Sequence, residues 1–295
     1  KTEAKAVQPI VGKAKIDIVA SSILGADDKA VDSAEITVVH TMPKTDAKAL
    51  DTFPGIFAGV PTGGITEVPF ETFGFVYVDL GTGNKLDPSK PATLTMPIDP
   101  AMLAEADETI PLWSYDTTKG QWIQEGEANR ADADGTKNPA GNFYVAYPIE
   151  HFSWYNLDRP FGNDVRTLNV TVASYTYTFS HHDMDTEGTA TTDTNKTDMT
   201  KRVANARVEV IATLDNDATD EDNGFTTTDT TRTATWKEVR STNTQGEVTF
   251  SIPSGRRIAI KVTAPDGTTQ DGYGYQVENS VASAFINMNK GGYVD

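Results

Sequence analysis

The chain of 295 residues contains no cysteine. That single absence excludes disulfide bonds, thiolate zinc sites and cysteine nucleophiles together. It assigns no compartment, because cysteine-free chains suit the cell interior and the bacterial surface alike. Basic residues are also sparse: 25 Lys and Arg stand against 42 Asp and Glu, a formal net charge of −17. A field of that sign repels DNA, RNA and anionic lipid, so nucleic acid is not an expected partner. The pairs Lys201-Arg202 and Arg256-Arg257 form no basic stripe. No run approaches the ~18 apolar residues of a membrane helix, and no membrane span is expected. The start at Lys1 shows no secretory leader, which fits either a processed secreted chain or a cytosolic one. Familiar catalytic signatures are missing too: there is no Gly-x-Ser-x-Gly elbow, no phosphate loop and no His-Glu-x-x-His.

Helical periodicity is the next scarcity. One short helix is expected over residues 100–106, with Pro100 at its first position and Ala101, Met102 and Leu103 following. Elsewhere β-branched and aromatic residues alternate with polar ones, and turn residues recur at short intervals. Strands are expected over residues 15–20, 35–40, 74–80, 92–96, 142–147 and 150–155. A second group covers 167–179, 206–214, 234–240, 247–252, 257–264 and 283–288. The richest stretch pairs Ile110-Pro111-Leu112-Trp113-Ser114-Tyr115-Asp116 with Gln121-Trp122-Ile123-Gln124-Glu125-Gly126 about a turn at Lys119-Gly120, a hairpin in which Gly supplies positive φ. The fold class is therefore all-β, with two antiparallel β-sandwich domains. Asp158-Arg159-Pro160-Phe161-Gly162-Asn163-Asp164 reads as the boundary. An N-terminal arm occupies residues 1–14, an aromatic-cored sandwich 15–160 and a second sandwich 165–295. Trp113, Trp122 and Trp154 are expected in the first core and Trp236 in the second.

The pieces Ile16-Asp17-Ile18-Val19-Ala20-Ser21-Ser22-Ile23-Leu24, Ala34-Glu35-Ile36-Thr37-Val38, Phe53-Pro54-Gly55-Ile56-Phe57 and Phe70-Glu71-Thr72-Phe73-Gly74 lead to Ile110 through Asn156. In that order they resemble extracellular, Ig-like β-sandwich modules of cartilage intermediate layer proteins and bacterial secreted proteins. The sandwiches of ankyrins, netrin receptors and PIDD are related. The second half, with Gln245-Gly246-Glu247-Val248-Thr249-Phe250 and Pro253-Ser254-Gly255, resembles a carboxypeptidase-regulatory-like, transthyretin-like module. Such modules are structural spacers or interaction surfaces, so the resemblance implies a secreted or cell-surface location.

One tripeptide carries a possible reaction. His151-Phe152-Ser153 resembles the self-cleavage site of PIDD and of a nucleoporin domain. There Ser153 Oγ would attack the Phe152 carbonyl while His151 moves the proton, and water would release the ester. The plainer alternative is a strand, with Phe152 and Trp154 turned into the core and His151, Ser153 and Tyr155 turned away. The carboxylates Asp215, Asp217, Asp220 and Asp222 offer calcium enough oxygens, though their spacing fits no EF-hand. Calcium is the one cofactor the sequence suggests. Asp132-Ala133-Asp134-Gly135 starts like a calcium loop and equally like a hairpin turn. Adjacent His181 and His182 read as a polar loop, since neighbours in a strand face opposite ways. The arm carries Val7, Ile10 and Val11, spaced for an added strand along an open sheet edge.

The combined reading is a non-enzymatic extracellular structural or adhesive protein. Its expected partners are copies of itself, head-to-tail in a surface filament or matrix, or other surface proteins. Two alternatives stay open: a self-cleaving protein cut between Phe152 and Ser153, and a carbohydrate-binding surface module whose exposed Trp or Tyr rings stack on sugars.

Overall fold

Where apolar and polar residues alternate, the backbone extends into strands, and helix is confined to two 3-10 turns among the described residues, Ala47–Thr52 and Pro100–Met102. The computed structural model describes residues 14–43, 47–162, 165–178, 196–214, 233–276, 281–288 and 291–294. The chain falls into two compact units. The first is Lys1–Asp164 with Thr213–Ala218 and Asp229–Lys237; the second is Val165–Ala212, Thr219–Thr228 and Glu238–Asp295.

The strands of the first stretch are β1 (Lys15–Asp17), β2 (Ile23–Leu24), β3 (Thr37–Thr41), β4 (Ala58–Val60), β5 (Val68–Asp79), β6 (Lys85–Leu86), β7 (Ala92–Pro97), β8 (Thr109–Asp116), β9 (Gln121–Ala131), β10 (Phe143–Ile149) and β11 (Trp154–Pro160). Nine of them form one sheet in the order β1-β7-β10-β9-β4-β5-β11-β8, with β3 joined to β5. Most pairings are antiparallel; β4 and β9 run parallel. Because β8 also pairs with β9, the strands β9, β4, β5, β11 and β8 close a ring. The hairpin expected at Lys119-Gly120 is there, with Gly120 at φ 69° and Asp116 Oδ1 accepting from the Thr118 and Lys119 amides.

Strand β5 is buried on both faces. Val76 and Val78 join Tyr155, Leu157, Leu112, Leu94, Met96 and Tyr144 in the main core. The opposite face carries Phe75 and Phe70 into an aromatic group. There Phe53 stacks on Phe57 at 4.1 Å and on Trp122 at 4.8 Å, and Phe70 meets Trp113 at 5.0 Å. Trp113 and Trp122 are fully buried, as expected. Trp154 is only half-buried: it lies against Tyr77 at 4.8 Å, on the face opposite Tyr155.

The second stretch supplies β12 (Val165–Thr178), β13 (Lys196–Arg202), β14 (Arg207–Leu214), β15 (Thr233–Ser241), β16 (Glu247–Pro253), β17 (Arg257–Thr263), β18 (Thr269–Gln276), β19 (Val281–Asn287) and β20 (Gly291–Val294). One sheet runs β13-β12-β19-β20 with β16 also on β12; another runs β15-β14-β17-β18. Leu168, Val170 and Val172 on β12, Val208 and Val210 on β14, and Ile258, Ile260 and Val262 on β17 are buried at alternate positions. Trp236 is buried on β15, yet it belongs to the first unit, whereas the sequence suggests the second.

Two sequence expectations shift. The helix over 100–106 shrinks to a single turn, capped by Asp99 Oδ1, which accepts from the Ala101 amide at 3.0 Å. So short a helix has too few bonds to offset nucleation, and its apolar residues Met102 and Ala106 plug the core instead. The last strand of the first stretch runs Trp154–Pro160, not 150–155. Asp158, Arg159 and Pro160, which read as a linker, pair with Thr72, Glu71 and Phe70. Pro160 is tolerated because it ends the strand.

Gly59 is where β4 crosses the tryptophans. A Cβ there would lie 2.8 Å from Trp122 Cβ and 2.9 Å from the Trp113 ring. Neither ring can retreat from its packed site. Gly59→Ala should lower unfolding stability by about 1–3 kcal/mol, the usual range for overpacking. Urea denaturation followed by tryptophan fluorescence measures it, and an unchanged midpoint would show that β4 does not pack as described.

Candidate functional site

Residues 151–153 lie just before β11, outside the regular strand. The strand alternation that would send Phe152 and Trp154 to one face therefore does not run through them. Phe152 packs against the main core, as does Tyr155, while Trp154 turns the other way. Ser153 Oγ donates to the Tyr115 carbonyl at 2.8 Å, and Ser153 O accepts from the Val78 amide at 3.0 Å. His151 instead places Nε2 2.7 Å from Glu125 Oε1. The Tyr155 hydroxyl donates to the His151 carbonyl and lies 3.4 Å from Nδ1. The hydrogen bond to Glu125 raises the His151 pKa against the opposing effect of burial. For Glu125, desolvation pushes upward, but hydrogen bonds from His151 and Ser114 hold the carboxyl below its ordinary range. Hydroxyl and imidazole are thus engaged with different partners, and none of residues 151–153 has a positive φ. The arrangement suits a framework hydrogen-bond set better than an acyl shift.

A second polar group lies on the opposite face of the same strand. Asn156 and Asp158 alternate with Tyr155 and Leu157, so they point to the aromatic side, where Phe75 and Thr72 are their cross-strand partners. Thr72, Asn156 and Asp158 have no exposed surface. The Thr72 hydroxyl donates to Asn156 Oδ1 at 2.7 Å, and Asn156 Nδ2 donates to Asp158 Oδ2. Asp158 Oδ1 has no hydrogen-bond partner. Trp113 Nε1 donates to the Asp158 carbonyl at 3.1 Å and fixes the backbone there. Burial drives the Asp158 pKa well above its ordinary value; the hydrogen bond from Asn156 and the nearby Thr72 hydroxyl oppose this, and the Glu71 charge adds to it. Glu71, also buried, is met by Arg159 at 3.0 Å, and that guanidinium lies 5.4 Å from the Phe73 ring centre. The environments of these two neighbouring acids differ in kind: one faces a cation, the other a carboxamide.

Searches against family models, curated proteins and solved structures return no match to this chain. The site must be read from its own chemistry.

Several candidate residues lie outside the described ones: Val7, Ile10 and Val11 of the arm, the calcium candidates Asp215, Asp217, Asp220 and Asp222, and His181 and His182. Among the described residues no group of three or more His, Asp or Glu is placed to hold a metal ion. Asp132-Ala133-Asp134-Gly135 is a turn: Gly135 N bonds to Asp132 O at 3.0 Å, and Asp134 Oδ1 accepts from the Thr136 amide at 2.8 Å. Sequence reading missed the Thr72–Asn156–Asp158 group. The signal is two polar residues at period two in an aromatic stretch, but by local rules Asp158 reads as linker.

A buried acid with a raised pKa has a defined linkage. The folded state keeps its proton to higher pH than the unfolded chain does. This contribution therefore carries no penalty below the unfolded value, about 4, and stability is lost as pH rises from there toward the folded value. Asp158→Asn, which keeps size and polarity without the charge, should flatten that decline. Urea midpoints of both proteins between about pH 4 and about pH 8 test it. Parallel curves would mean that Asp158 titrates normally.

Proposed function

We propose that this chain is a non-enzymatic extracellular structural or adhesive protein that assembles with copies of itself by strand addition. The observation that supports this most is the edge of β3. Among the described residues β3 pairs with β5 on one side only. It is five residues long, carries no acidic or lysine side chain, and leaves Val39 43% exposed. Natural edges are usually blunted by charge or shortness. The other edge, β1, is blunted in that way: it is three residues long, and Lys15 pairs with Asp17 at 2.7 Å. The arm that precedes β1 carries Val7, Ile10 and Val11, the right kind of side chains to accompany main-chain bonds to β3 of a second copy. Such a contact is head-to-tail and propagates. The resemblance to secreted sandwich modules agrees with an extracellular setting. His151 and Ser153 have framework roles in this reading, and calcium at Asp215, Asp217, Asp220 and Asp222 remains part of the proposal.

Size-exclusion chromatography with light scattering over a concentration series tests the assembly. Full-length protein should grow in mass with concentration. Deletion of residues 1–13, or Val39→Lys, should leave a folded monomer. A full-length protein that stays monomeric at the highest concentration overturns the assembly.

A second reading, carbohydrate binding, is favoured by Tyr147. It is 64% exposed and borders an open concavity of about 560 Å³ with Asp17, Ser89, Lys90 and Thr93. An exposed ring beside hydroxyl and charged groups suits a sugar face. Affinity electrophoresis in polysaccharide gels should show retardation that Tyr147→Ala abolishes; retardation equal in both proteins excludes this surface.

A further inference from the structure

The Thr72–Asn156–Asp158 group is costly for a core. A hydroxyl, a carboxamide and a carboxyl are all buried on the aromatic side of β5 and β11. Apolar residues of the same size would fill the space without desolvating three polar groups. Thr72 Oγ1 is held by two bonds, accepting from the Gly74 amide at 3.2 Å and donating to Asn156 Oδ1 at 2.7 Å, which brings it against the carboxamide. The Asp158 carboxyl touches the carboxamide from the other side, where its Oδ2 accepts from Asn156 Nδ2. Its second oxygen has no other engagement.

We propose that Thr72 and Asn156 form an ester cross-link between β5 and β11, made by the protein itself with Asp158 as proton carrier. Thr72 Oγ attacks Asn156 Cγ, forming the C–O bond. The hydroxyl proton passes along its existing hydrogen bond to Asn156 Oδ1, the neutral Asp158 carboxyl delivers its own proton to the amide nitrogen, and the carboxylate so formed takes the proton back from Oδ1 as the carbonyl re-forms. The tetrahedral intermediate collapses, the C–N bond breaks, and ammonia leaves. Asp158 ends with one proton, as it began. No oxidant, reductant or further reactant enters. Burial raises the Asp158 pKa and so favours the protonated form that this relay needs. Placement on paired strands replaces a bimolecular encounter with an intramolecular one. Exclusion of water leaves the ester without a hydrolytic competitor, and dilution of the released ammonia favours the product. The cross-link needs no assembly partner, so its test is independent of the filament proposal.

Intact-mass spectrometry of the folded full-length chain is decisive. Wild type should be lighter than its sequence by one ammonia, and proteolysis should yield one pair of peptides joined at Thr72 and Asn156. Thr72→Val and Asp158→Asn should each have the full mass of their sequences, with the peptides separate. Wild type at full sequence mass after prolonged incubation in the folded state overturns the proposal. So does an ammonia loss that persists in Thr72→Val with the peptides unlinked, because a succinimide at Asn156 gives that result. If Thr72→Val does not fold, the linked or unlinked state of the wild-type peptides decides alone.

Discussion

Strand β5 has no solvent face through its middle, and the first unit is organised by that constraint. Phe73, Val76 and Val78 require one apolar cover, and Phe70 and Phe75 require another. A sheet of this length cannot satisfy both by packing on a single partner layer. The aliphatic side is covered by β1, β7 and β10, whose Ile16, Leu94, Met96 and Ala146 belong to the main core. The aromatic side is covered by Phe53, Phe57 and the tryptophans of the β8–β9 hairpin. Three strands bond to β5, namely β3, β4 and β11, and its twelve residues share them in sections.

The same constraint explains why polar groups in this region matter. Once both faces are dry, any Thr, Asn, Asp or Glu on β5 or β11 must find its partners inside the protein. Glu71 finds Arg159; Thr72 and Asn156 find each other; Asp158 is left with one oxygen unpartnered, and burial pushes its pKa up. By contrast, His151 and Glu125 sit where water reaches them, with side chains 47% and 35% exposed, so their pair contributes little by itself.

Much of the strand pattern was legible in the sequence because period-two alternation survives wherever one face is wet. The hairpin at Gly120 and strand β16 were readable in this way. The reading failed where both faces are dry or the element is short. β4 has three residues with a glycine at the centre and no alternation to detect. The end of β11 carries Asp158, Arg159 and Pro160, residues that local rules assign to loops. Only their distant partners on β5 make them strand, as the Arg159–Glu71 bond shows with its separation of 88. The candidate group was hidden for the same reason: Thr72 and Asn156 stand 84 positions apart, and nothing local to either announces the other.

The ring of β9, β4, β5, β11 and β8 also orders events in time. The β8–β9 hairpin is local and closes through a four-residue turn, 117–120. Joining β4 to β9 is not local: Thr62 reaches Gln124 across 62 positions, with its amide on Oε1 at 3.2 Å and its hydroxyl on the main-chain carbonyl at 3.1 Å. Loop-closure entropy has to be met before that contact contributes anything. The short parallel seam at Gly59 and Val60 is therefore costlier to close than the hairpin, and the β5–β11 pairing, whose partners stand farther apart still, is costlier again. Gly59 of that seam lies directly against both tryptophans, so a chain in which the distant pairings are still open lacks that cover for its indoles, and uncovered aromatic surface of this kind is what makes partly folded chains adhesive.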